Sequence, residues 1–292
     1  ASSPQRLTRG SKVDNFQIVG PLGSGAMGLV FLANDLLLER KVALKFLAQD
    51  LVDVVQFHQR FIREGRSLAK LKAHANLVGI YSGGTLGTTP YFAMEYINGK
   101  SLARVLEREG QLSIKRSIDL TLQASKALDF VWREARLLHR DIKPSNLMLT
   151  EDGETLKVTD FGLAKTIADG EQEGSLTKTG TILGTPDYIA PEIARCERNV
   201  DFRADIYSLG ATLFHFLAGA PPFRRKSIAE IVSAHLHESP PILESIREGT
   251  PKELSNLLQG MLEKKAENRP KSHAEIIENL ERISKTSIPS VL

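Results

Sequence analysis

Two periodicities divide this chain. Between Phe16 and Tyr96 apolar residues come mostly in short alternating runs, the period of a half-buried strand. From Ser113 onward they recur every three or four positions, the period of a helix with one buried face. The first pattern predicts strand around Phe16–Ile18 and Val30–Leu32 on either side of a glycine cluster, then a short apolar strand over Lys41–Leu47. Two further strands are expected over Val78–Ser82 and Tyr91–Tyr96, with Gly83, Gly84 and Gly87 supplying the turns. One helix interrupts them, from about Val54 to Lys72, with Phe57, Phe61, Leu68 and Leu71 on its stripe.

The second pattern opens at Ser113, an N-cap residue for a long helix to about Ala135. Ile118, Leu122 and Trp132 form its stripe, widened by Leu120, Ala124, Ala127 and Val131, so it is expected to pack on more than one side, with Trp132 as core. Leu147–Leu149 and Leu156–Val158 read as a small hairpin about Glu151-Asp152-Gly153-Glu154. The run after Asp205, IYSLGATLFHFLAG, is apolar on all sides and predicts a central buried helix ended by Gly219 and Pro221-Pro222; His215 within it reads as a hydrogen-bonded core histidine. Shorter amphipathic helices follow over Ser227–Glu238, Lys252–Glu263 and Ser272–Ile283, whereas Ile167–Gly184 has little periodicity and reads as loop. The expected division is a polar lead-in over 1–14, a β-rich part over 15–97, a helix-rich part over 98–285 and a tail over 286–292, the boundary falling within Ile97–Ser101.

Composition changes this picture little. A length of 292 residues suits one large or two ordinary domains. The net charge of +3 is small, with acidic and basic residues intermixed, so no nucleic-acid footprint is expected. The one cysteine, Cys196, excludes an intrachain disulfide. The polar start ASSPQRLTRG shows no secretory signal, and no run approaches a membrane span; a cytoplasmic location is expected, anchoring by segments outside this chain being left open.

The chemistry is concentrated in LHRDIKPSNLML, Leu138–Leu149, where His139, Arg140, Asp141, Lys143 and Asn146 sit between two apolar runs. A loop that handles a phosphate needs such a density of proton acceptor, cation and metal ligand, and the spacing fits H-R-D-x-x-x-x-N. Upstream, Gly23-Ser24-Gly25-Ala26-Met27-Gly28-Leu29-Val30 matches G-x-G-x-x-G-x-V. It lies between strands instead of opening a helix, which argues against a dinucleotide site; the alternatives are backbone approach to phosphate and a plain glycine hairpin. Lys45 lies within an apolar strand, on the face of Ala43 and Leu47, where it is either a snorkelling edge lysine or a buried cation needing an anion. Glu64 on the following helix is the natural partner, or else a solvated glutamate.

Taken in order, GSGAMGLV, VALK, Glu64, HRDIKPSN, Asp160-Phe161-Gly162 and Ala190-Pro191-Glu192 resemble the protein-kinase superfamily, over about Asn15 to Ile283. DIKPSN and GTPDYIAPE are similar to serine/threonine kinases, and ALKFL, FIREGRSLAKL and PEIARC look like the bacterial eukaryotic-like ones. The resemblance implies an α+β, bilobal kinase fold: a small antiparallel β-rich lobe with one main helix, and a larger, mostly helical lobe. It implies an ATP-dependent protein serine/threonine kinase that autophosphorylates on its activation loop. Lys45 would hold phosphates, kept in place by Glu64, beneath a cover of Gly23, Ser24, Gly25, Ala26, Met27 and Gly28. Asp141 would orient or deprotonate the acceptor hydroxyl, Lys143 stabilise the γ-phosphate, and Thr185 support both. Asn146 and Asp160 would hold Mg²⁺, with Mn²⁺ as the alternative. Leu22, Val30, Ala43 and Met148 would enclose adenine, with Met94 as gatekeeper and Glu95 and Ile97 offering backbone hydrogen bonds. Glu192 with Arg269 resembles the family's structural ion pair, and Asp205 its catalytic-loop anchor. Thr177, Thr179 and Thr181 are the expected phosphorylation sites. ATP and protein substrates with Ser/Thr acceptors are the implied partners, and a kinase-domain dimer is a further one. An inactive relative would normally lack Lys45, Asp141 or Asp160, and all three are present.

Overall fold

The computed structural model describes residues 3–25, 28–52, 54–161 and 186–286. Chain contacts divide it into two compact units, Ala1–Asn98 and Gly99–Leu292.

The first unit is built on one antiparallel sheet. Its strands are β1 (Lys12–Val13), β2 (Phe16–Gly25), β3 (Gly28–Asp35) and β4 (Arg40–Leu47). After the short α1 (Gln49–Val52) and the main helix α2 (Val55–Ala69) come β5 (Ile80–Leu86) and β6 (Thr89–Glu95), giving the order β1-β2-β3-β4-β6-β5. The polar lead-in is part of this sheet: Lys12 and Val13 pair with Gln17 and Phe16, Pro4 is buried, and Asp14 accepts a hydrogen bond from the buried Tyr91 hydroxyl. Pro21 is tolerated within β2 because the ladder is irregular on both sides of it, with register shifts at Ile18/Gly20 and Pro21/Gly23. Asp35 closes the β3–β4 turn by accepting from the Leu37 and Leu38 N–H groups and from Asn15.

One expectation about turns fails. Gly83 and Gly84 lie inside β5, and the turn falls at Gly87, whose φ is +62°. The two glycines are there because side chains of β6 lie across them. A Cβ on Gly83 would meet the Phe92 ring at 2.9 Å, and one on Gly84 would meet the Tyr91 hydroxyl at 2.7 Å. Glycine marks close approach here instead of a bend.

The second unit is mostly helical. A small sheet of β7 (Gly99–Ser101), β8 (Leu147–Thr150) and β9 (Leu156–Val158) accompanies α3 (Leu102–Glu109), α4 (Ile114–Ala135), α5 (Pro191–Ala194), α6 (Arg203–Ala218), α7 (Ile228–His237), α8 (Lys252–Met261) and α9 (His273–Thr286). Ser113 caps α4 as expected, its hydroxyl accepting from the Arg116 N–H at 3.2 Å. Helix α6 is buried along nearly all its length and stops at Gly219, whose φ of +75° makes the left-handed cap. His215 on α6 bonds the Tyr188 hydroxyl through Nδ1 at 2.6 Å, and burial pushes its pKa down to about 4. Trp132 is half-buried and packs on Phe202. Strand β7, at three residues, is too short for a periodicity to show, whereas α3 does carry Leu102, Val105 and Leu106 at helical spacing behind its Ser101 cap, a two-turn signal that sequence reasoning missed.

Candidate active site

In the first unit the strand register decides which side chains share a face. Lys45 stands opposite Val30 on one side and Phe92 on the other, and Ala43 stands opposite Met94. Residues directly opposed in an antiparallel ladder project to the same side, so Val30, Ala43, Lys45, Phe92 and Met94 share one surface of the sheet. The other surface carries Phe31, Val42, Leu44, Phe46 and Ala93, which form an apolar core. Lys45 is only 3% exposed, which rules out a snorkelling edge lysine. Glu64 on α2 is also buried, at 8%. An unpaired charge at such depth costs several kcal/mol, so neither side chain is there as a solvated surface group.

The glycines between β2 and β3 separate by cause. Gly28 has φ +137°, and a Cβ there would lie 1.9 Å from the Phe46 carbonyl oxygen, so the sheet itself demands glycine. Gly23 has an ordinary φ, and a Cβ on it would meet nothing within 4 Å. The fold gives no reason for glycine there. Leu22 and Ser24 beside it are exposed, and Gly25 pairs with Gly28; Ala26 and Met27 lie outside the described residues. At the end of β6, Glu95 donates its N–H to the Gly79 carbonyl at 2.8 Å and accepts the Gly79 N–H on Oε2 at 3.1 Å. Of its backbone groups only the carbonyl could therefore be offered to a ligand. Ile97 follows in the irregular link before β7.

The second unit holds the charged loop between α4 and β8. Asp205, fully buried on α6, accepts the His139 N–H on one oxygen and the Arg140 N–H on the other, both at 2.7 Å. Burial pushes its carboxyl up to about 6, against these two bonds and the Arg140 charge, which pull it down. The His139 ring is completely buried and bridges two segments. Its Nδ1 accepts the Asp141 N–H at 3.2 Å, so its other nitrogen, Nε2, is the donor to the Thr159 carbonyl at 2.8 Å. Phe161 packs against the same ring, centroids 4.5 Å and planes 44° apart. Arg140 and Asp160 both take left-handed backbone, φ +62° and +55°, a conformation costing about 1 kcal/mol or more, held only when the surroundings over-determine it.

Asp141 is the convergence point. Lys143 Nζ and Asn146 Nδ2 each lie 3.0 Å from its Oδ2, and Nδ2 also bonds the Asp141 carbonyl at 2.8 Å. With the Asn146 amide nitrogen committed in this way, its Oδ1 is the remaining acceptor, 3.5 Å from the Ser145 hydroxyl. A short 3-10 turn, Pro144–Asn146, holds this geometry, and the Asn146 carbonyl accepts from both the N–H and the hydroxyl of Thr159. Residues 141–146 and 159–160 are thus tied through His139 and Asn146. Met148 follows on β8, half-buried and paired with Lys157.

The protein-kinase-domain family model matches residues 16–279. This chain belongs to the protein kinase family. It is 37% identical over 274 residues to the serine/threonine-protein kinase PknB of Mycobacterium tuberculosis, covering 92% of this chain and 43% of that protein. PknB of Mycolicibacterium smegmatis is 36% identical over 293 residues, 99% of this chain and 45% of that protein. The chain therefore spans under half the length of these relatives. The crystal structure of the M. tuberculosis PknI kinase domain superposes with a TM-score of 0.76 at 27% identity, covering 94% of this chain and 99% of that one. The kinase fold expected from the motifs, an antiparallel sheet with one main helix and then a mostly helical part, is the fold observed.

Within this kinase domain, Lys45, Val30, Ala43 and Met94 share a sheet face, and Asp141, Lys143 and Asn146 converge on one carboxylate. Thr185, Thr177, Thr179 and Thr181 lie outside the described residues. Glu192 and Arg269 form the expected buried pair, with two bonds of 2.6 and 2.9 Å. Sequence reasoning gave His139 no role, yet it joins the loop to the strand end before Asp160. The only signal was its place inside the His-Arg-Asp run. Phe92 was also missed, for it reads as one more apolar strand residue. Among the described residues no helix is long and apolar enough to cross a membrane.

Proposed function

We propose that this kinase domain transfers the γ-phosphate of ATP to serine or threonine hydroxyls of proteins. The observation that carries the reading is the Asp141 carboxylate, held at one oxygen by an ammonium and an amide, 3.0 Å each. Phosphoryl transfer needs little covalent help, so an aligned acceptor-hydroxyl partner and fixed cations account for most of what a protein must supply. Asp141 would accept or orient the hydroxyl proton, and Lys143 would reach the γ-phosphate, with Thr185 supporting both. Lys45, positioned by Glu64, would hold the α- and β-phosphates. The absence of any packing reason for Gly23 supports a cover over phosphate by Gly23 to Gly28. Leu22, Val30, Ala43, Met94 and Met148 would enclose adenine, with the Glu95 carbonyl and Ile97 as its backbone partners.

The donor set also suits Mg²⁺. Among the described residues no cluster of three or more His, Cys, Asp or Glu side chains could hold a metal on protein ligands alone. Mg²⁺ at phosphate sites takes one or two protein oxygens and completes its shell with phosphate and water, which Asn146 Oδ1 and the Asp160 carboxylate fit. Bound there, the ion would neutralise charge developing on the transferred group.

The test is phosphate transfer from labelled ATP to a generic basic protein. Lys45→Met should abolish it, while Glu64→Gln should lower it less, because Glu64 acts only through the lysine; an active Lys45→Met protein would remove this strand from the site. Asp160→Asn should weaken nucleotide binding in the presence of Mg²⁺ far more than in its absence, since the carboxylate acts through the ion. Equal losses in both titrations would take Asp160 out of the metal site. Autophosphorylation is the finer part of the reading, with Thr177 and Thr179 as the sites and Thr181 as the weaker candidate. A phosphothreonine carries roughly −1.5 to −2 charge, enough to engage the Arg140 guanidinium beside Asp141. Mass spectrometry before and after phosphatase treatment should find phosphate on Thr177 or Thr179; protein active on substrate yet unmodified there would leave the loop as a spacer.

A further inference from the structure

Helix α2 follows a regular stripe, and one position in it is empty. Phe61, Gly65 and Leu68 fall on the same side at helical spacing, and the middle place has no side chain. The space belongs to Phe92 of β6. A Cβ on Gly65 would lie 2.0 Å from Phe92 Cζ, 2.2 Å from Cε2 and 2.8 Å from Cε1. The ring edge therefore rests directly on the helix backbone.

The ring has nowhere else to go. On the strand beside it, a Cβ on Gly83 would be 2.9 Å from Phe92 Cδ1 and 3.0 Å from Cε1. Phe61, itself fully buried, stacks on it with centroids 4.8 Å apart and planes 31° apart. Two glycines, one on α2 and one on β5, thus form a notch that a single phenylalanine fills.

The residues on either side of this notch are the two charged ones. Gly65 directly follows Glu64 in α2. Phe92 is the ladder partner of Lys45, so the two side chains leave the sheet side by side, with Cβ atoms about 5 Å apart. Glu64 and Lys45 are both buried, and the separation of helix and sheet is fixed by the Phe92 ring lying between them.

We propose that Phe92, seated between Gly65 and Gly83, sets the approach of α2 to the sheet and so positions Glu64 against Lys45. Phe92 and Gly65 are then positioning residues, and the proposal rests on the phosphate-holding role given above to Lys45 and Glu64. A methyl group at position 65 needs about 3.5–4.0 Å from the ring carbons, so helix and ring must part by roughly 1.5 Å or more. A displacement of that size takes a carboxylate out of hydrogen-bond range of an ammonium.

The experiment is a set of variants of this chain read by kcat and KM for ATP with a generic basic protein substrate, and by melting temperature. Gly65→Ala is expected to lower kcat at least tenfold with a melting temperature within a few degrees of the parent. Phe92→Leu in the same chain, which shortens the ring back from the helix, should recover most of that loss. Glu64→Gln added to Gly65→Ala should cost little beyond Gly65→Ala alone, because the displaced carboxylate is already out of use. Parental kcat in Gly65→Ala, no recovery by Phe92→Leu, or multiplying losses with Glu64→Gln each overturns the proposal. If Gly65→Ala does not fold, Gly83→Ala presses the ring from the other side and should give a smaller loss, again relieved by Phe92→Leu; its absence is equally fatal. Lys45→Met and Glu64→Gln run alongside separate the two readings. If both keep the parental rate, the lysine–glutamate assignment falls and this proposal with it. If both are impaired while Gly65→Ala is not, only the notch falls.

Discussion

Replacing Asp141 with asparagine should cut turnover by roughly 10²–10⁴-fold, the usual worth of a positioned acid–base group, while leaving the fold and ATP affinity nearly unchanged. Asparagine has almost the same shape, so the backbone bonds that hold the loop persist: Asp205 to His139 and Arg140, and His139 Nδ1 to the N–H of residue 141. What changes is the atom pair at the convergence point. An amide oxygen can still accept from Lys143 and Asn146, but it cannot take a proton from the substrate hydroxyl. An amide turned the other way would face two donors with a third and lose both contacts. The loss should therefore appear in kcat and not in KM for ATP, because nothing in this carboxylate is proposed to touch the nucleotide base. Steady-state kinetics with saturating protein substrate decide it. Turnover within twofold of the parent would take Asp141 out of the chemistry; a raised KM with intact kcat would recast it as a binding residue.

Much of this site could be read before any coordinates because phosphoryl transfer fixes residue types at fixed spacings in short segments. His139-Arg140-Asp141 with Asn146 is such a segment: the local 3-10 turn and the Asn146 bonds back to Asp141 need only the six residues from Asp141 to Asn146. The pattern of helices was legible for a similar reason, since α4 and α9 each bury a face long enough for periodicity to show, and α6 is an apolar run too long for a strand. What could not be read is what depends on partners far away in sequence. Gly83 and Gly84 look like turn residues, and only the rings of Phe92 and Tyr91 lying over them show that they are places of close approach. Gly28 and Gly23 look alike in the glycine run, but the Phe46 carbonyl makes one a sheet requirement and leaves the other without a packing reason. The lead-in reads as polar, yet a two-residue pairing and the Asp14–Tyr91 bond fasten it to the sheet. His139 is the sharpest case, because its function is to hold two segments together, and neither segment alone shows that need.

The largest stability effect is expected at Arg269. All five of its N–H donors are used: two on the Glu192 carboxylate at 2.6 and 2.9 Å, and three on the carbonyls of Arg203, Glu263 and Lys264 at 2.8, 2.8 and 3.1 Å. Its side chain is wholly buried, and Glu192 is nearly so. Arg269→Met should therefore destabilise the helical unit by about 3–5 kcal/mol, because it leaves a buried carboxylate without its counter-charge. The three freed carbonyls add to the loss, whereas the apolar gain of methionine offsets only part of it. Glu192→Gln should cost clearly less. The arginine then keeps three carbonyl acceptors and the glutamine oxygen, so its charge is still partly satisfied. Arg269→Lys should fall nearer to methionine than to the parent, since one ammonium cannot reproduce a planar fork that reaches five acceptor positions. Urea unfolding of the four proteins at equal concentration gives the order directly. If Glu192→Gln proves as damaging as Arg269→Met, the charge pair alone carries the effect and the carbonyl network is incidental. If Arg269→Met unfolds within 1 kcal/mol of the parent, the pair is dispensable. The segment it anchors, from Pro186 through α5, would then be held by Tyr188 and His215 instead.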